Sequence, residues 1–276
     1  MSLKTFKYII HWIPRSFDVY FSGFCEPFIN PSCTEMILHA YQKGHHVMVF
    51  TTMVGLTKNN FQRLIKTIPF TGKNYWIIHL PSTNKLESIV VDNSYLELLE
   101  FVLQSDMNIK IHYHGNNIND RIKQIICRSR YALDYWQLIS RAGNVSFKDI
   151  DQSRRLSGPI RCMRADLHAH IILPDGTVVL CCNDFGMKHI LGNVFNQSYH
   201  QIHNSGEMKK VKMGLYDDSI SLLCRNCNYA ENINVVNHSH DTPFGIRRVY
   251  SYFKTQITSR NPNIYKKMKT IKHKFT

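Results

Sequence analysis

Five of the eight cysteines lie close together in the second half of the chain: Cys162, Cys181, Cys182, Cys224 and Cys227. Cys25, Cys33 and Cys127 stand apart from them. Cys224-Arg-Asn-Cys227 is a two-residue knuckle, a spacing that presents two sulfurs to one centre. Cys162 and Cys181 flank the turn Pro174-Asp175-Gly176, and a hairpin there would hold a second pair rigidly. Four thiolates placed in this way can close a Cys₄ site for zinc or for an iron–sulfur cluster. Buried inert thiols are common, and a lone CxxC would leave that reading open. A knuckle together with a hairpin pair favours metal. The spacing alone does not choose between zinc and iron.

The compartment implied by composition agrees with free thiols. Met1 to Phe17 carries Lys4 and Lys7 before the short apolar run Tyr8-Ile9-Ile10, and His11 and Pro14 interrupt it. That is too short for a signal peptide. No apolar run approaches the ~20 residues of a membrane span, so a cytoplasmic protein is expected and disulfides are the weaker reading.

The net charge of +14 suggests nucleic acid until its distribution is considered. Residues 242–276 hold nine Lys or Arg and no acid, whereas the first 241 residues hold 25 basic and 20 acidic residues. The excess belongs to the tail, so no specific nucleic-acid groove is expected in the body. From Phe244 the tail reads as a basic amphipathic helix with Ile246, Val249, Tyr250, Phe253 and Ile257 on one face. Such a face could touch an acidic surface or pack on the body.

The elements that must position the cysteines read as follows. A helix opens the chain, with Leu3, Phe6, Ile10 and Ile13 at helical spacing. Strands are predicted at 18–22, 46–51, 75–80, 108–112 and, more weakly patterned, 133–139. Helices at 32–43, 58–67, 94–104 and 118–127 separate them. Gly44 follows the second helix where a left-handed residue is expected. Helix-length crossovers between short apolar strands imply parallel pairing, which gathers functional groups at the strands' C-terminal ends. Those ends are Ser22 to Pro27, Thr51-Thr52, His79 to Ser82 and Tyr113 to Gly115. Beyond a boundary near 151–159, strands at 167–173 and 177–182 meet at Asp175-Gly176, a strong hairpin signal. Ser198 and Ser205 are positioned to cap two short helices.

Cys162, then Leu-Pro-Asp-Gly-Thr-Val-Val-Leu-Cys-Cys-Asn-Asp from Leu173 to Asp184, then Leu191-Gly-Asn-Val and Cys224-x-x-Cys227, resembles the SPASM domain over about 158–230. That module follows the catalytic barrel in many radical S-adenosylmethionine enzymes. The resemblance implies one auxiliary 4Fe–4S cluster on Cys162, Cys181, Cys224 and Cys227. The longer form of the module has further cysteines after the knuckle, and this sequence has none. Cys182 is an alternative to Cys181, and the four-residue interval from Gly176 favours Cys181. Asp184, His168 and His170 are expected to be structural or solvent-facing.

Gly23-Phe24-Cys25-Glu26-Pro27 in turn resembles the Gly-x-x-Glu-Pro stretch after the second strand of the radical S-adenosylmethionine barrel. In that family the turn meets the cofactor's methionyl ammonium; without the resemblance it reads as a glycine turn with a helix-capping Glu. Thr51-Thr52, His79 to Ser82 and Arg141-Ala-Gly-Asn144 follow in the family's order. The resemblance therefore implies S-adenosylmethionine contacts at Gly23, Glu26, Thr52, Ser82 and Arg141. The family's CxxxCxxC loop, which follows the barrel's first strand, does not occur in this sequence, and a first strand is also lacking.

The expectation is thus α/β: an incomplete parallel βα (partial TIM-like) barrel over 1–155, a SPASM module over 156–235 and a basic tail over 236–276. The implied function is radical chemistry on a peptide, sugar or other small molecule once the cluster loop is supplied. The alternatives are a non-catalytic iron–sulfur scaffold and a zinc-stabilised module.

Overall fold

A computed structural model of the chain describes residues 1–82, 89–114, 117–146, 153–164 and 167–233. Met1–Asn232 form one compact unit and Ile233–Thr276 a second. The amphipathic tail lies outside the described residues.

The first half is a five-stranded parallel sheet in sequential order. Its strands are β1 (Val19–Phe21), β2 (Val47–Thr51), β3 (Tyr75–Leu80), β4 (Ile109–Tyr113) and β5 (Leu133–Tyr135). Helix α1 (Leu3–Trp12) precedes them, and α2 (Cys33–Gln42), α3 (Lys58–Thr67), α4 (Asn93–Leu103) and α5 (Asp120–Arg128) connect them. Polar caps start these helices: the Ser2, Thr57 and Asp92 side chains accept from the backbone N–H groups of Thr5, Asn60 and Tyr95, each satisfying a donor the helix cannot. Gly44 has φ +91°, as its place after α2 requires.

Alternation along β3 sends Trp76, Ile78 and Leu80 to the helices, where they join Phe28, Phe61, Leu64, Leu99 and Ile111 in one core. Each helix packs on the next in chain order, so all lie on one side of the sheet, as in a segment of a βα barrel. The other face carries Tyr20, Phe50, Tyr75, His79, His112 and Trp136, in ring contact from strand to strand.

The second half is built from short pieces. β7 (Ile171–Ile172), β8 (Thr177–Val179) and β9 (Ile190–Asn193) form an antiparallel sheet, and β6 (Ile160–Cys162) pairs with β10 (Ala230–Asn232). The predicted hairpin turns at Gly176, φ +82°, where a Cβ would lie 2.6 Å from the Phe195 ring. Its first arm is shorter than expected: it begins at Ile171, and Leu167, where the strand was expected to start, is left-handed, φ 64°, which an extended strand does not allow. Helices α6 (Tyr199–His203) and α7 (Gly206–Gly214) are capped by Ser198 and Ser205 as expected. A separate core of Ile160, Val178, Leu180, Leu191, Ile202, Met208, Val211 and Leu222 fills this half. Helix α1 serves both cores: Phe6 and Ile10 enter the first, Ile9 the second. No helix among the described residues is long and apolar enough to cross a membrane.

Candidate functional site

Cys162 closes β6, whose register sets it opposite Ala230 on β10. Cys181 follows β8. Cys224 and Cys227 sit at a 3-10 turn, Leu223–Asn226, in which the Cys227 N–H donates to the Cys224 carbonyl at 3.1 Å. The β6–β10 pair brings Cys162 beside this knuckle, and the Met163 N–H donates to the Tyr229 carbonyl at 2.8 Å.

The thiols interact electrostatically. Burial pushes Cys224 up strongly, and Cys181, Cys227 and Cys162 add to the shift. Burial pushes Cys181 up to about 12, with Cys182 and Cys227 among the lesser causes. Cys227 is also raised, first by burial and then by Cys162 and Cys182. Cys181 figures in the surroundings of Cys224, and Cys182 in those of Cys227. Among the described residues no three His, Cys, Asp or Glu side chains converge closely enough to hold a single metal ion. Thiolates ligate both zinc and iron–sulfur clusters, so the donor set has the chemistry an iron–sulfur cluster needs.

Three residues that the sequence reading did not single out hold this centre together. Arg225, inside the knuckle and 2% exposed, donates to the carbonyls of Leu156, Gly158 and Gly214 and pairs with Asp218 at 2.7 Å. His189 accepts from the Leu223 N–H at Nε2, 3.3 Å, so its Nδ1–H donates to Glu207 at 2.7 Å. The Asn183 side-chain amide donates to Cys227 Sγ at 3.2 Å. Asp184 is structural: fully buried, it accepts from the N–H groups of Lys188 and His189.

At the sheet's C-terminal edge, Glu26 is bound on all sides. Its Oε1 accepts from the Thr51 hydroxyl at 2.6 Å and the Phe28 N–H at 3.2 Å; its Oε2 accepts from the Thr52 N–H and hydroxyl at 2.6 and 2.7 Å. The structure thus joins Glu26 to Thr52. Gly23, φ +123°, lies just before them, with Ile171 of the second half 3.7 Å from where a Cβ would be. Ser82 is buried just past β3 and pairs with Ile118 through a single bridge. Arg141 points toward the module instead, donating to the Cys182 carbonyl at 3.1 Å and stacking over Phe185.

Adjoining this edge is an imidazole cluster. His79, His112 and Asp134 are neighbours across β3, β4 and β5. His114 stacks on His79 with ring centroids 5.5 Å apart, and Trp136 meets His112 at 4.3 Å. His114 Nδ1–H donates to the Trp136 carbonyl, while Nδ1 of His79 and of His112 has no partner among the described residues. Burial, then His114, His112 and Arg141, pushes His79 down to about 4. Burial likewise lowers His112, against a smaller opposing pull from Asp134. His79 and His114 were legible as strand-end residues; their convergence with His112 and Trp136 was not.

Residues 162–228 match the model of the SPASM family, an iron–sulfur cluster-binding domain. No curated protein matches the sequence. The fold is similar to that of BtrN in its crystal structure with AdoMet and 2-DOIA, with TM-score 0.53 and 16% identity over 83% of this chain and 80% of that one. A crystal structure of selenomethionine BtrN in an open conformation gives TM-score 0.48 and 15% identity over the same shares. The domain match shows an iron–sulfur cluster-binding SPASM domain at 162–228, and the likeness to BtrN shows a shared fold.

Proposed function

We propose that this chain binds one 4Fe–4S cluster through Cys162, Cys181, Cys224 and Cys227, beside a sheet edge built for S-adenosylmethionine and a small substrate. The observation that carries the first part is the iron–sulfur domain match, which starts at Cys162 and runs through Cys227, over thiols that interact with one another. Of the two half-buried hairpin cysteines, Cys181 is the ligand rather than Cys182, because its four-residue interval from Gly176 matches the module's motif. Bound there, the cluster supplies a one-electron donor or acceptor.

The protein's own residues do the rest. Glu26 already accepts four hydrogen bonds, so its carboxylate acts as the anchor that fixes the 23–26 turn to Thr51 and Thr52. It leaves the turn's backbone carbonyls to accept from a methionyl ammonium and contributes a negative charge nearby. Gly23, Thr52 and Ser82 complete the cofactor edge, while Arg141, expected there from the sequence, is engaged with the module. The AdoMet bound by BtrN, whose fold this chain shares, supports that placement. The imidazoles of His79 and His112 are neutral at pH 7, since their pKa values are lowered. They offer hydrogen-bonding nitrogens beside the flat face of Trp136 to a peptide, sugar or other small substrate.

A second reading rests on a specific observation. The sequence holds no CxxxCxxC triplet, and a cluster with four cysteine ligands has no open iron to bind the cofactor's amine and carboxylate. This favours an iron–sulfur protein of the family that does not itself cleave S-adenosylmethionine. Hydrogen bonds to the methionyl group, worth ~1–3 kcal/mol each, support binding without turnover. The test is an anaerobic assay of the 276-residue chain with dithionite for 5′-deoxyadenosine. No turnover above background is expected; turnover would overturn the second reading.

A further inference from the structure

Cys227 has two N–H groups directed at its sulfur: the Tyr229 backbone at 3.4 Å and the Asn183 side chain at 3.2 Å. Asn183 is 5% exposed, so its amide is shielded from water. Its position does not come from the hairpin alone. The Asn144 side-chain amide donates to the Asn183 carbonyl at 2.9 Å and to the Arg141 carbonyl at 2.8 Å. The adjoining residues of the same turn grip the module too, Arg141 at the Cys182 carbonyl and the Ser140 hydroxyl at Asn228. The turn is held in an unfavourable form: Arg141, Ala142 and Gly143 have φ 46°, 58° and 81°. Left-handed backbone at a non-glycine residue is unfavourable and persists where the surroundings over-determine it. Here Ala142 is buried in the module's core. Gly186 leaves no room beside the turn, since a Cβ there would lie 2.6 Å from Asn144 Oδ1.

We propose that Asn183 sets the reduction potential of the cluster through its hydrogen bond to Cys227 Sγ, and that Asn144, on the turn after the parallel sheet, is the positioning residue that holds it there. This rests on the cluster assignment above. An N–H donor drawn to a ligand sulfur withdraws electron density and favours the reduced cluster, and such hydrogen bonds are among the determinants of cluster potential. Partners in the second layer of a metal site also fix ligand orientation.

The experiment is redox potentiometry of the reconstituted full chain, with dithionite as the one-electron donor and iron content measured alongside. Asn183→Leu keeps the volume and removes the donor; the expected result is full iron content with a more negative midpoint potential. Asn183→Gln retains an amide and should fall between Leu and the native residue. Asn144→Ala leaves the Asn183 amide in place and should shift the potential in the same direction by less, which covers the case in which Asn183→Leu loses its iron. Iron-loaded variants with the native potential would overturn the proposal while leaving the cluster assignment intact. A native chain that takes up no iron would overturn both.

Discussion

In the parallel sheet, Trp76 is enclosed by the rings of Phe28, Phe61 and Phe70 at 5.6–5.7 Å, within one large core of apolar side chains. In the cysteine module, the corresponding centre holds Cys224 and Cys227 beside Ile160 and Leu222. Around it lie a buried arginine, a buried aspartate and a buried histidine, each with fixed partners. The sheet derives its stability from area removed from water, about 25 cal/mol per Å² of apolar surface. The module has strands of two to four residues and holds its buried Arg225, Asp184 and His189 through individual hydrogen bonds. A region of the first kind tolerates the loss of a ligand. A region of the second kind is completed by one, because metal binding energy becomes folding energy where the site is assembled by the fold.

The largest effect that would sharpen this contrast is in the sheet. Trp76→Ala should cost about 3–5 kcal/mol, read as a lowered denaturant midpoint, and the cost should be the same in iron-loaded and iron-free chain. A cost confined to the iron-loaded chain would break the comparison by making the sheet depend on the module's metal.

A smaller effect comes from His79. Its folded-state pKa is pushed from 6.5 to about 4, chiefly by burial. Because the unfolded chain binds this proton more readily, stability is present above about pH 6.5 and is lost as pH falls toward 4. Denaturant titrations of the iron-free chain at pH 7 and pH 5 should show the loss, and His79→Gln should reduce it. An unchanged slope in the variant would place the acid sensitivity elsewhere, with His170 and His203 of the module, both lowered by burial, as the next residues to vary.

The same contrast governs what could be read in advance. β3 and α3 occupy the expected residues, 75–80 and 58–67, because a continuous apolar run and a capped 3.6-residue period are local signals. The Glu26–Thr51–Thr52 knot brought together residues already singled out one by one, since strand ends converge in a parallel sheet. In the module, β6 and β10 went unseen. They are three residues each, with the exposed pair Arg161 and Glu231 at their middle, and carry no alternation. β9 was hidden by Gly192, whose φ of +157° and close approach to the Gln197 side chain depend on tertiary packing. His189, Asn183 and Arg225 look like ordinary polar residues in sequence; only the fold shows them buried around the knuckle. Cysteine spacing was legible because ligands must come in pairs, whereas the residues that orient them need not.

The central claim, that four cysteines of the module hold one iron–sulfur cluster, is tested most directly by iron and acid-labile sulfide analysis of the chain reconstituted without oxygen. The account predicts a brown protein with about four irons and about four sulfides per chain, reduced to background in Cys224→Ala and in Cys227→Ala but largely kept in Cys182→Ala. A colourless protein with one tightly bound zinc and no sulfide would contradict it.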